Sequence, residues 1–195
     1  MWQVDPRVEY LFDDVLMALP ERRRVHSRSV GRKAMALSGL LAPNLRTDLV
    51  AASVLHDIGY AHPATGFHSV DGARFLAKQG FSDVVCHLVA NHSASSLEAE
   101  ERGLSLDIFD EFAIDMSEIY PAEIGLAHGA LWWADLTTGP DGEDVAVENR
   151  LNEICARYGP NDPVTRFVQR SRSILIDAGQ LPIGSIQVPV SSIAH

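Results

Sequence analysis

The 195-residue chain has only two cysteines, Cys86 and Cys155, and no CxxC spacing. That leaves no basis for a zinc knuckle or a disulfide framework, and both are expected to be reduced core thiols. It also lacks any uninterrupted apolar run of the ~18 residues that a membrane helix needs. The opening Met-Trp-Gln-Val-Asp-Pro lacks the basic, apolar and cleavage regions of a signal peptide, so the expectation is a soluble, cytoplasmic protein with no membrane partner. Basic residues are outnumbered, 16 against 26 acidic ones, for a formal net charge of -10. A polyanion would be repelled at long range, which argues against bulk nucleic acid as a partner. With 14 glycines, 10 prolines and 22% charged residues, the sequence is neither low-complexity nor compositionally disordered, and 46% hydrophobic content suffices for a core.

Strand-like alternation is hard to find before residue 183, whereas helical periodicity recurs throughout, so the fold class expected is all-α. Helices are predicted over 5–19, 21–41, 44–58, 67–79, 82–92, 121–138, 145–158 and 161–178, with Gly59, Gly80, Gly139 and Gly159 at helix stops. One domain is expected over 1–178, followed by a tail, 179–195, that lacks any Asp, Glu, Lys or Arg and is read as extended over this subunit or a neighbour. A homodimer is compatible with that tail. The stretch 98–118 carries eight acidic residues and the single base Arg102, and reads as a solvated, mobile segment.

The chemistry-bearing residues are histidines. In Leu55-His56-Asp57-Ile58-Gly59 the pair His56-Asp57 falls at a predicted helix end, where a carboxylate opposes the negative pole of the helix dipole and a bound cation would reverse the penalty. An imidazole and a carboxylate together suit divalent iron, manganese, cobalt, nickel or zinc. Further donors are His26, His68, His92 and Asp135, giving the order H…HD…H…H…D. Of the other histidines, His87 lies about 140° around the helix from His92 and reads as exposed. His128, two turns ahead of Asp135, is a candidate support for it. His62, in the turn before Pro63, is a candidate substrate contact, and His195 is terminal.

Five segments in this order resemble the HD-domain superfamily of metal-dependent phosphohydrolases. They are Arg23-Arg24-Val25-His26-Ser27-Arg28-Ser29-Val30, Leu55-His56-Asp57-Ile58-Gly59, His68-Ser69-Val70-Asp71-Gly72-Ala73, Asn91-His92-Ser93 and Ala134-Asp135-Leu136-Thr137-Thr138, within a motif core of 20–158. The resemblance implies a bundle of at least five core helices with the site in its middle. It implies that His26, His56, Asp57 and Asp135 hold a first metal, and that His68 and His92 complete the two-metal type, with Asp57 bridging. One or two divalent transition-metal ions are thus the expected cofactors, Fe, Mn, Co, Ni or Zn, with Mg also compatible. One departure concerns substrate: many members carry a basic residue directly after His-Asp-Ile-Gly, and here it is Tyr60.

Arginines supply the counter-charge for phosphate. Residues 21–33 hold five arginines and Lys33 against Glu21. Arg22 and Arg23, four and three residues before His26, and Lys33, seven after, share its helix face. Arg23 and Asp57 are the candidate catalytic groups, and Arg23, Lys33, His62 and Arg150 the candidate substrate contacts. The function implied is hydrolysis of a nucleotide or small phosphate ester by a metal-activated water. Two alternatives share the residue pattern: a mixed-valent di-iron oxygenase of the same fold, and a non-catalytic, metal-stabilised nucleotide-sensing module.

Overall fold

A computed structural model describes residues 14–115 and 121–180. Among these residues there is no strand, only an isolated bridge between Thr138 and Asp144. The helices are α1 (Glu21–Ser38), α2 (Pro43–Leu55), α3 (His68–Lys78), α4 (Asp83–Ala90), α5 (Ser95–Glu101), α6 (Pro121–Leu136), α7 (Val147–Tyr158), α8 (Pro163–Arg170) and α9 (Arg172–Gly179), with 3-10 turns at Ile58–Tyr60, His92–Ala94 and Leu106–Phe112. None is long and apolar enough to cross a membrane.

Local chemistry sets several of these limits. Pro43 and Pro163 open α2 and α8 at positions where a missing N–H costs nothing. Ser82 and Asp162 cap α4 and α8 by accepting the N–H groups of Val85 and Val164. Gly80 and Gly159, at φ +80° and +84°, take the left-handed conformation just past α3 and α7.

α1, α2, α3, α4 and α6 enclose the main core, centred on fully buried Leu45, Leu49, Leu55, Ile58, Leu76, Leu88 and Leu131. Leu136, Leu151, Phe167, Val168 and Leu175 form a second cluster where α7, α8 and α9 meet the end of α6. On α8 its contributors Val164, Phe167 and Val168 follow the i, i+3, i+4 spacing of one helix face.

The structure departs from the sequence expectations in several places. The predicted helix 44–58 ends at Leu55, so Asp57 (φ -91°, ψ 2°) lies just outside it. The predicted helix 161–178 is two, broken at Ser171 (φ -98°, ψ 9°). The acidic stretch is not the solvated segment its charge suggests: its described part, to Asp115, contains most of α5 and a 3-10 turn. Glu98 is buried against Arg102, and Ile108, Phe109 and Phe112 pack on the main core. Glu98 pairs with nearby Arg102, whereas Glu100, Glu101 and Glu111 meet arginines distant in sequence, Arg170, Arg166 and Arg74. Most of the predicted helix 5–19 and of the tail 179–195 lies outside the described residues.

Candidate metal centre

The six donors come from five places in the chain and meet at the seam between the two cores. His26 stands on α1, His56 and Asp57 at the end of α2, His68 on the first turn of α3, His92 just past α4, and Asp135 in the last turn of α6. They fall into two groups, His26–His56–Asp135 and Asp57–His68–His92, and within each group the donor atoms lie within 4.8 Å of one another.

Backbone carbonyls orient three of the four rings. His26 Nδ1 donates to Gly139 O (3.1 Å), His56 Nδ1 to Ser53 O (2.8 Å) and His92 Nδ1 to Val89 O (2.6 Å). In a neutral ring so bound, the lone pair is left on Nε2. Those atoms converge: His26 Nε2 is 3.1 Å from Asp135 Oδ1, and His68 Nε2 is 3.2 Å from His92 Nε2. Asp57 Oδ1 lies 3.7 Å from His56 Nε2 and 3.8 Å from His68 Nε2, so this one carboxylate spans the two groups. Buried acceptors aimed at one another repel unless a cation sits among them, and nitrogen with carboxylate oxygen is a donor set for divalent transition metals. The residues present therefore fit such an ion.

The electrostatics favour anionic carboxylates at Asp57 and Asp135 and neutral rings at His56 and His68. Burial pushes the Asp57 carboxyl toward protonation, but His56, Arg23 and His68 outweigh it and hold the group well below the usual carboxylate range. Asp135 is likewise held low against its burial by the neighbouring His56, His26 and Arg150. Burial lowers His56, and burial together with His92 pushes His68 down to about 3. Deprotonated donors are what a metal requires.

Around this cluster opens a cleft of about 700 Å³, counting space open to solvent, lined by both charged and apolar side chains. Arg23, Arg150 and Arg157 line it, as do Leu136, Leu151, Phe167 and Leu175 of the second core. Arg23 Nη1 donates to Asp57 Oδ2 at 2.7 Å, and its guanidinium lies 3.4 Å from the centroid of the Tyr60 ring. The other contact of that ring is His68, stacked at 4.3 Å and 16°. Tyr60 thus supports a cation delivered from α1 instead of supplying one. Arg150 is buried, and it bonds Glu153 at 2.7 Å.

Two predicted substrate contacts lie elsewhere. Lys33 donates to the backbone and hydroxyl oxygens of Thr137 and pairs with Asp144, pinning the chain beyond α6. His62 stacks on Phe75 at 3.7 Å. His128 faces His87 rather than Asp135, with ring centroids 5.0 Å apart, and burial with that neighbour pushes it down to about 4. His87 is half-buried, not exposed, and donates to Phe112 O at 2.7 Å.

Two contributors were missed by the sequence reading. Ser93 Oγ donates to Asp135 Oδ2 at 2.5 Å, and both Ser93 (φ 47°) and Ala94 (φ 59°) are left-handed, a strained pair directly after His92. Asp71 accepts the N–H groups of Ala64, Thr65 and Gly66 and the Thr65 hydroxyl, fixing the loop that delivers His68. An Asp three residues into a helix that follows Ala-Thr-Gly was the available signal for it.

The comparisons with known proteins agree with this geometry. Residues 23–117 match the family model of the HD domain, a segment that contains five of the six donors, while Asp135 joins them only in space through α6. No curated protein and no solved structure matches the chain. Residues 23–117, just under half of the chain, are thus an HD-domain match, consistent with the HD-domain superfamily, whose members are in general metal-dependent phosphohydrolases.

Proposed function

We propose that this protein is a metal-dependent phosphohydrolase acting on a nucleotide or another small phosphate ester. The observation that carries the reading is the juxtaposition of two His/Asp donor groups with arginines lining one cavity. In this reading His26, His56 and Asp135 hold one ion, and Asp57, His68 and His92 hold a second, with Asp57 between them. A divalent ion bound there supplies Lewis acidity toward a phosphoryl oxygen and lowers the pKa of a water.

The chain's own residues do the remaining work. Arg23, packed on Tyr60 and tied to Asp57, has few rotamers left open and offers its outward N–H groups to a phosphate oxygen beside the cluster. Arg150 places a buried positive charge in the same lining. The backbone carbonyls of Gly139, Ser53 and Val89 keep the rings from turning as charge develops. Leu136, Leu151 and Phe167 exclude water from part of the cleft, which strengthens each of these interactions.

The test is phosphate release from nucleotides and simple phosphate esters with Mn, Co, Ni, Fe or Mg added, repeated with Asp57→Ala. Turnover that requires both the ion and Asp57 is expected; silence across the panel, or undiminished turnover in the variant, overturns the proposal.

A further inference from the structure

A second crevice adjoins the cavity and shares His26, Asp57, Arg23, Arg150 and Arg157 with it. It spans about 550 Å³, open to solvent, and is lined also by Pro20, Arg22 and Pro140. Four of its lining side chains are arginines and its one acid is Asp57 at the donor cluster, in a protein of net charge -10. The sequence gives no general reason for such a concentration.

The partners of these arginines are unequal. Arg22 is held in a two-point ion pair, its Nε and Nη2 donating to Asp141 at 2.8 and 2.9 Å. Arg150 and Arg157 share a single acid, Glu153, at 2.7 and 3.5 Å. The Arg150 side chain is only 9% exposed, and Glu153 takes one of its five N–H donors. The remaining N–H groups line the crevice, where an anion with several oxygens can accept from them. α7, which carries Arg150 and Arg157, lies outside the segment that matches the HD domain. One phosphoryl group at the donor cluster is served by Arg23, which is tied to Asp57; Arg150 and Arg157 add two more cations to the same lining.

We propose that this crevice is a second phosphate subsite and that the substrate is a di- or triphosphate, one phosphoryl group lying at the donor cluster and the next against Arg150 and Arg157. The proposal rests on the hydrolase reading above for its chemistry. A water oxygen bonds to the phosphorus at the cluster and the bond from that phosphorus to the bridging oxygen breaks. The electron pair stays on the bridging oxygen, and the departing phosphate carries it away; the protons of the water pass to the products and solvent. Arg150 and Arg157 then face the side on which the negative charge builds.

Binding to the metal-free protein tests the subsite without turnover. By calorimetry, inorganic tripolyphosphate is expected to bind at least tenfold tighter than orthophosphate, and Arg157→Gln, a change at a partly exposed side chain, is expected to remove most of that preference. Equal affinity for the two anions, or a preference untouched in Arg157→Gln, overturns the proposal. With Mn added, turnover is compared for matched nucleoside mono-, di- and triphosphates. The ratio of kcat/KM for triphosphate over monophosphate is expected to exceed ten and to fall about tenfold in Arg157→Gln. A protein that hydrolyses monophosphates as well as or better than the longer esters keeps its hydrolase function and loses this subsite. A protein silent toward all of them loses the hydrolase reading, and the calorimetry alone then decides the crevice.

Discussion

A Cβ placed on Gly59 would stand 1.8 Å from the carbonyl oxygen of His68 and 2.6 Å from the amide nitrogen of Gly72. The turn after Asp57 and the first turn of α3 are therefore in backbone contact, and that contact sets the distance between Asp57 and His68. Gly59 is needed for its missing side chain rather than for a left-handed φ or a helix stop. Gly59→Ala must push the two segments apart, since both obstacles are backbone atoms. The expected result is a loss of about 1–3 kcal/mol in stability, the usual range for overpacking, together with loss of metal from the Asp57–His68–His92 group. Chemical denaturation and metal content per chain check it; a variant of native stability and full metal content would contradict the packing argument.

Ser93 positions Asp135 from across the site, and its left-handed backbone is what brings the hydroxyl there. Ser93→Ala keeps both metal-donor groups and removes one hydrogen bond to the carboxylate. Metal affinity of the His26–His56–Asp135 group is expected to fall about 10–100-fold, as for other residues that orient a ligand, and titration with a competing chelator measures it. Ser93→Thr retains the hydroxyl and is expected to restore part of the loss.

Much of this candidate site was legible along the chain because five of its six donors sit at or beside helix ends, where Pro and Gly mark boundaries, and because the order of His and Asp carries information. What could not be read was the third dimension. Lys33 lies at the correct helical spacing from His26, yet it reaches Thr137 and Asp144, because the loop after α6 passes over that part of α1. Arg22 shares the same face and is held by Asp141 of that loop. Periodicity places a residue on a face of a helix but is blind to which segment covers it. The acidic stretch failed for a related reason: its charges meet arginines far away in sequence, such as Arg166 and Arg170, that composition within a window does not include.

Asp71 gives a pH dependence whose sign is fixed. Burial alone would raise its pKa, but the amides of Ala64, Thr65 and Gly66 and the Thr65 hydroxyl bind the charged form and bring it below the ordinary value. A carboxylate depressed in the folded state contributes stability that is fully present above its unfolded pKa of about 3.9 and is lost as pH falls through the folded value. Asp71→Asn is expected to cost about 2 kcal/mol at neutral pH, of the order of a hydrogen bond to a charged group. It should also make the denaturation midpoint fall less steeply below about pH 4. A variant whose acid limb runs parallel to that of the wild type would show that Asp71 is not the group titrating there.

Removal of metal should destabilise the fold as well as silence it, because the six donors join α1, α2, α3, α6 and the segment after α4, and only the folded chain holds them together. A ligand at about 100 times its Kd adds about 2.7 kcal/mol to folding, so chelation is expected to lower the midpoint by several degrees for a domain of this size. Without the ions, His68, whose tautomer no backbone carbonyl fixes, can carry its proton on Nε2 and donate to His92 Nε2 at 3.2 Å. Replacing His92 with Gln removes an imidazole donor from the second group, so chelation is expected to lower the midpoint less in the variant than in the wild type. Thermal unfolding of wild type and His92→Gln, each with and without chelator, separates the contributions. Equal shifts in both proteins would mean that the second donor group carries no metal.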